Sequence, residues 1–248
     1  MRKLSIIGIG AGHPDHITVQ ATKVLAGVDV VLMIDKGDAK ADMTALRKEL
    51  CAQYIKKPYS VVEVTDPERD RTPSDYGAAV KAWHAERAAL YERMIREELA
   101  DDQHGAILVW GDPSLYDSTL RIVERVAAMK TVEFELDVIP GITSVQALTA
   151  AHRIALNRIG GPVHITTGRK LADGMPGDDV VVMLDGDCAF NHVKDDGVDI
   201  YWGAYVGTPD EILVSGPLKE RAPQIEKLRA EARARHGWIM DTYLLRKT

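Results

Sequence analysis

The tightest constraint on this chain is the passage from residue 106 to residue 118. Residues 106–110 (AILVW) form a continuous apolar run, the pattern of a strand buried on both faces of a parallel sheet. Gly111, Asp112 and Pro113 then break it, with no side chain at the first turn position. Ser114 is placed to cap a helix with Leu115, Leu120, Ile122 and Val123 on its apolar face. A strand that ends in a backbone-lined loop and continues as a helix belongs to an open α/β sheet, where ligands bind at the carboxyl ends of the strands. Many α/β proteins use the same pattern as an ordinary connection, so alone it names no ligand.

Two further stretches follow the same plan. Residues 4–9 read as the first strand and run into Gly8, Gly10 and Gly12, then His13, Pro14 and Asp15. A GxGxxG dinucleotide fingerprint would need a third glycine where His13 stands, although Asp35 could imitate its ribose-binding acid. The alternating glycines still imply close approach of backbone to a ligand or to another strand. Residues 134–138 are a strand, Pro140 and Gly141 break it, and Thr143 or Ser144 caps a helix through Leu148 and Ala151. Hydroxyls and free N–H groups at that helix start suit polar or anionic ligand groups.

The rest of the first half reads as helices over 17–25, 39–54 and 76–99 and strands over 28–34 and 60–64. Trp83 and Tyr91 fall on the apolar period of the long helix, which makes them core residues. Residues 65–74 (TDPERDRTPS) set Arg69 and Arg71 among acids and prolines. They read either as an exposed loop of self-compensating charge or as a binding loop for a ligand with several carboxylates. Near Arg153 the character changes. Residues 157–162 (NRIGGP) act as a linker, and strands follow at 163–167, 180–184 (VVVML), 200–206, 212–214 and 238–245, the last placed at an edge. A charged helix spans 218–235. The expected fold class is α/β, as two α/β domains, 1–112 and 113–248, with a ligand cleft between them.

Composition narrows the partners. Lys and Arg number 31 against 37 Asp and Glu, a net charge of −6, which argues against nucleic acid or an anionic membrane. Cys51 and Cys188 stand far apart, build no metal site and suit a reducing cytoplasm. The N-terminus turns glycine-rich at once and reads as a strand, not a signal peptide; no stretch is long enough to span a bilayer.

Taken in order, the turns resemble one family, the S-adenosylmethionine-dependent tetrapyrrole (precorrin) methyltransferases. GIGAGHPDHIT (8–18) is similar to the family's GxGxGDPxxLT, with His13 in place of Asp. GDPSLYDS (111–118) and PGITSVQALTAA (140–151) follow, the latter similar to PGxSSxxAAAA, and GTPDE (207–211) resembles GTxxxQ with Glu for Gln. Residues 58–71, 152–169 and 237–247 look like the deacetylating member, which converts precorrin-5 to precorrin-6A with loss of acetate. The resemblance implies two α/β domains, a homodimer and a methyl donor, S-adenosyl-L-methionine, held mostly by backbone. By motif, Pro14 borders the substrate side. Trp110, Gly111, Asp112 and Leu115 form the donor loop, and Thr143 and Ser144 hold the donor. Met183 or Leu184 flanks the adenine, and Gly207 and Thr208 close the pocket.

A sulfonium methyl is already activated, so the protein has to align it and exclude water; it needs no nucleophile of its own. Loss of an acetyl group calls for water attack on an acyl carbon and a general base. His13, Asp15, His16, Asp112 and Tyr116 are the titratable groups near the implied cleft, and the sequence does not choose among them. Arg69, Arg71 and Arg158 are the expected contacts for the carboxylates of the tetrapyrrole substrate, precorrin-5. Other readings stay open: another ring methylase of the family, a nicotinamide-dependent oxidoreductase using the first glycine run, or a binding protein that keeps the fold without catalysis.

Overall fold

A computed structural model describes residues 1–35, 41–67, 75–194 and 196–248. The chain divides into two compact units, Met1–Gly10 with Pro14–Ile142, and Ala11–His13 with Thr143–Thr248.

In the first unit, strands β1 (Arg2–Gly8), β2 (Val30–Asp35), β3 (Ser60–Thr65), β4 (His104–Val109) and β5 (Phe134–Ile139) form a parallel sheet ordered β3-β2-β4-β1-β5. Helices α1 (Val19–Leu25), α2 (Ala41–Tyr54), α3 (Tyr76–Glu98) and α4 (Thr119–Met129) cover it. The period of two along each strand divides its apolar residues between the faces. Leu4, Ile6, Val30, Leu32, Ile107 and Val109 pack with Tyr91, Met94 and Ile95 of α3 and Ile122, Val123 and Val126 of α4. Ile7, Val31, Met33, Ala106 and Leu108 pack with Leu25 of α1 and Leu46 and Leu50 of α2.

The boundary expected at 112/113 falls instead at Ile142/Thr143. The reason is pairing: β5 lies beside β1 over Arg2–Ile7, so the chain through β5 belongs to the first sheet.

The second unit begins with α5 (Ser144–His152). β6 (His164–Thr167), α6 (Gly168–Leu171), β7 (Asp179–Met183), β8 (Val198–Ala204), β9 (Ile212–Pro217), α7 (Leu218–His236) and β10 (Asp241–Lys247) follow. Its sheet is ordered β6-β7-β10-β8-β9; β6 and β7 are parallel and the other pairs antiparallel. The last strand, expected at an edge, is inserted between β7 and β8, and Tyr243, Leu244 and Leu245 are fully buried. A strand with no polar alternation belongs inside a sheet, and 242–245 (TYLL) is such a run.

Candidate active site

In the first unit β1 lies between β4 and β5, and the three strands end in the three turns singled out in the sequence. The connection leaving β1 runs toward β2 and that leaving β4 runs toward β5, so the chain departs in opposite directions on either side of this pair. That is the switch point at which open α/β sheets bind ligands. Beyond the sheet, Gly10 and Gly111 pair antiparallel; Gly111 N–H donates to Gly10 O at 2.7 Å and Gly10 N–H to Gly111 O at 3.3 Å. Gly111 takes φ +69°, a left-handed conformation that strains other residues. The turns touch backbone to backbone. A Cβ on Gly141 would stand 2.1 Å from Gly111 O, and one on Gly8 would stand 2.7 Å from Gly141 N.

Asp112 locks this arrangement. Its Oδ1 accepts from Ser114 N–H at 2.8 Å and from Ser114 Oγ at 2.5 Å, and its Oδ2 accepts from Gly141 N–H at 2.8 Å. Burial of the Asp112 carboxyl pushes its pKa up, but the hydrogen bonds from Ser114 and Gly141 outweigh that and hold it below the ordinary carboxylate range. Ser114, expected as a helix cap, is therefore spent inside the turn. Tyr116 has φ +51° and is 43% exposed, and the helix starts only at Thr119. Pro14 and Asp15 lie on a 3-10 turn after β1, with Asp15 exposed. Arg69 and Arg71 fall outside the described residues.

The second unit carries the other expected positions. Thr143 caps α5: its Oγ1 accepts from Val145 N–H at 3.1 Å, and Gln146 Oε1 accepts from Thr143 N–H at 3.2 Å. Met183, Thr242 and Gly203 lie in one row across β7, β10 and β8, so the VVVML strand and the turn holding Gly207 and Thr208 leave the sheet at the same end. Leu184 has φ +53° and is 66% exposed. Counted from Gly207, the Gln of GTxxxQ falls on Ile212; Glu211, one residue earlier, accepts from Gly207 N–H at 2.8 Å and closes that turn. His13 is exposed. Arg158 is 3.5 Å from the buried Asp179 and also donates to Lys247 O, at the opposite end of β7 from Met183.

A buried polar network below Leu184 was not legible in the sequence. Asp185 Oδ2 accepts from Tyr243 Oη and Ala189 N–H, each at 2.7 Å. Arg229 donates to Asp185 O, to Gly186 O at 3.1 Å and to Asp241 Oδ2 at 2.9 Å, which also accepts from Trp202 Nε1 at 2.9 Å. Arg229 lies within the charged helix α7, and only packing shows which cation turns inward.

Residues 3–222 match the model of the family described as Tetrapyrrole (Corrin/Porphyrin) Methylases. The chain belongs to the tetrapyrrole methylases. This tetrapyrrole methylase is 52% identical to a precorrin-6A synthase (deacetylating) of a Sinorhizobium species, over 100% of its own length and 96% of the relative's. A crystal structure of a cobalamin synthesis related protein (CobF) from Corynebacterium diphtheriae superposes with TM-score 0.85 at 43% identity, covering 100% of this methylase and 99% of that chain. Uroporphyrin-III C-methyltransferase from Thermus thermophilus, in complex with S-adenosyl homocysteine, shares the fold with TM-score 0.61 at 17% identity, over 98% of this chain and 92% of the other.

Proposed function

We propose that this methylase converts precorrin-5 to precorrin-6A, transferring a methyl group to a ring carbon and releasing the acetyl group as acetate. It is an S-adenosylmethionine-dependent methyltransferase of cobalamin biosynthesis. The full-length identity of 52% to a deacetylating precorrin-6A synthase supports the choice of substrate. The single structural observation that carries the reading is the contact of three glycine turns at the switch point, tied by Asp112.

The residues present fit the donor. The surface at the end of β4 is main chain, shaped by glycines and held by internal hydrogen bonds, and so is set before a ligand arrives. When bound, the sulfonium donor supplies a methyl group activated for transfer to carbon. Trp110, Gly111, Asp112 and Leu115 present the donor loop, with Pro14 on the substrate side. Thr143, Ser144, Met183, Leu184, Gly207 and Thr208 are the proposed donor contacts from the second unit. Asp112 serves as a tie, because its carboxylate accepts from Ser114 and Gly141. His13, Asp15 and Tyr116 remain the candidate groups for the acyl cleavage. Arg69 and Arg71 are the proposed partners of the substrate carboxylates; Arg158 is left out, since it serves Asp179 and Lys247. The proposed assembly is a homodimer, and the proposed location is the cytoplasm. Among the described residues no helix is long and apolar enough to cross a membrane.

Incubation with S-adenosylmethionine and precorrin-5 tests this, with mass analysis for methyl gain, acetyl loss and free acetate. Methyl gain without acetyl loss would move the protein to another ring methylase activity. A melting temperature raised by NADH but not by S-adenosylhomocysteine would overturn the donor assignment.

A further inference from the structure

Arg87 occupies the middle of α3 and is only 4% exposed. Its guanidinium carbon lies 4.6 Å from the ring centroid of Trp83 and 5.8 Å from that of Tyr91. Arg87 Nε stands 2.8 Å from Asp66 Oδ1, and Nη1 donates to Ser118 Oγ at 2.9 Å. These partners are on different segments: Asp66 directly follows β3, and Ser118 closes the loop that follows β4. Trp83 adds a second hold on the first segment, its indole N–H donating to Pro67 O at 2.9 Å.

Two observations set this contact apart from ordinary packing. Ser118 is the N-cap of α4, yet its side chain makes no capping bond; Thr119 N–H goes to Asp117 Oδ1 at 2.7 Å. A serine at a cap position that serves another partner is a local rule broken for a tertiary contact. The sheet is also open just here. β2 pairs with β4 only at Val30–Gly105 and Val31–Ala106, and beyond that the strands part around a small cavity lined by both strands and by Arg47, Arg87, Tyr91, Asp117 and Thr119. Where β2 leaves, arginines take over: Arg47 donates from α2 to Leu108 O at 3.1 Å, and Arg87 holds the far end of the loop from α3.

We propose that Arg87 is a positioning residue that sets the 111–118 loop against the segment following β3. It acts through Ser118, and the assignment rests on the reading that this loop holds the methyl donor. One guanidinium serves both partners because its fork is planar and rigid; a lysine ammonium on a flexible stem would hold Asp66 and release Ser118.

The test compares the parent with Ser118→Ala, Arg87→Lys and the double variant. S-adenosylhomocysteine affinity is measured by calorimetry, with KM for each substrate, kcat and melting temperature. Ser118→Ala removes only the tie to the loop and leaves the Arg87–Asp66 pair in the core. Donor affinity should weaken about fivefold to tenfold in each single variant, the scale of a lost charge-assisted hydrogen bond. Donor KM should rise with kcat changed less than about twofold, and the double variant should be no weaker than the worse single one. A residue that only stabilises the fold would lower the melting temperature and leave donor affinity alone. Parental affinity in Ser118→Ala and Arg87→Lys overturns the proposal; if Arg87→Lys fails to fold, Ser118→Ala decides alone. A parent that does not bind S-adenosylhomocysteine defeats the donor reading instead, and this one with it.

Discussion

Asp112 Oδ2 accepts a hydrogen bond from Gly141 N–H at 2.8 Å, so the turn after β4 is fastened to the turn after β5 across the strand between them. Asp112→Ala should leave the Gly141 and Ser114 donors without their partner and cost about 1–3 kcal/mol. The melting temperature should fall by about 2–4 °C for each kcal/mol lost. Donor affinity should drop in the same variant, because the loop's shape depends on the tie. Calorimetry that finds a stable, fully binding variant would remove Asp112 from the architecture of the site.

The same bond has a pH signature. The folded-state pKa of Asp112 lies below its ordinary value of 3.8. Its contribution is therefore complete above that value and is lost as pH falls through the folded-state pKa. The stability gap between parent and Asp112→Ala, from denaturant unfolding, should be constant near neutrality and should narrow as the solution is acidified below about pH 4. A gap that widens toward acid contradicts this assignment.

Glycine contacts give a sharper contrast. A Cβ at Gly141 would stand 2.1 Å from Gly111 O, whereas one at Gly186 would meet nothing within 4 Å. Gly141→Ala has to push the two turns apart and should lose donor binding by tenfold or more, about 1.4 kcal/mol, along with several degrees of melting temperature. Gly186→Ala should bind the donor as the parent does. Equal behaviour of the two variants would mean that the turns are compliant.

Arginine replacements separate substrate contacts from structural ones. Arg69→Ala and Arg71→Ala should raise KM for the tetrapyrrole, leave donor affinity intact and reduce the salt dependence of the rate. Arg158→Ala should behave differently. Its partner Asp179 is 2% exposed and keeps Arg246 Nε at 2.6 Å, so a stability loss of about 1 kcal/mol with normal KM is expected. Raised KM in Arg158→Ala alone would return that residue to the substrate and remove the other two.

Assembly is checked by light scattering at micromolar concentration. A symmetric dimer is expected, and a monomer mass would count against it.

Much of this was written in the linear sequence. Strands such as AILVW and VVVML are apolar throughout, and each glycine turn follows its strand directly, so the order of strand, loop and helix could be read from local pattern. The ordered turns also carried the family, because glycine at a close backbone contact leaves a mark that does not depend on distant partners. What only the tertiary structure decided was pairing and partnership. β5 joined the first sheet and moved the boundary to Ile142; β10 went to the centre of the second sheet; Ser118 gave up its cap to Arg87. Arg87 and Arg229 look like any surface cations in the sequence, and Arg158 like a free one. Hydrophobic period is a local property fixed by backbone geometry. Which of several charges turns inward depends on an acceptor tens of residues away, and chain folding alone brings the two together.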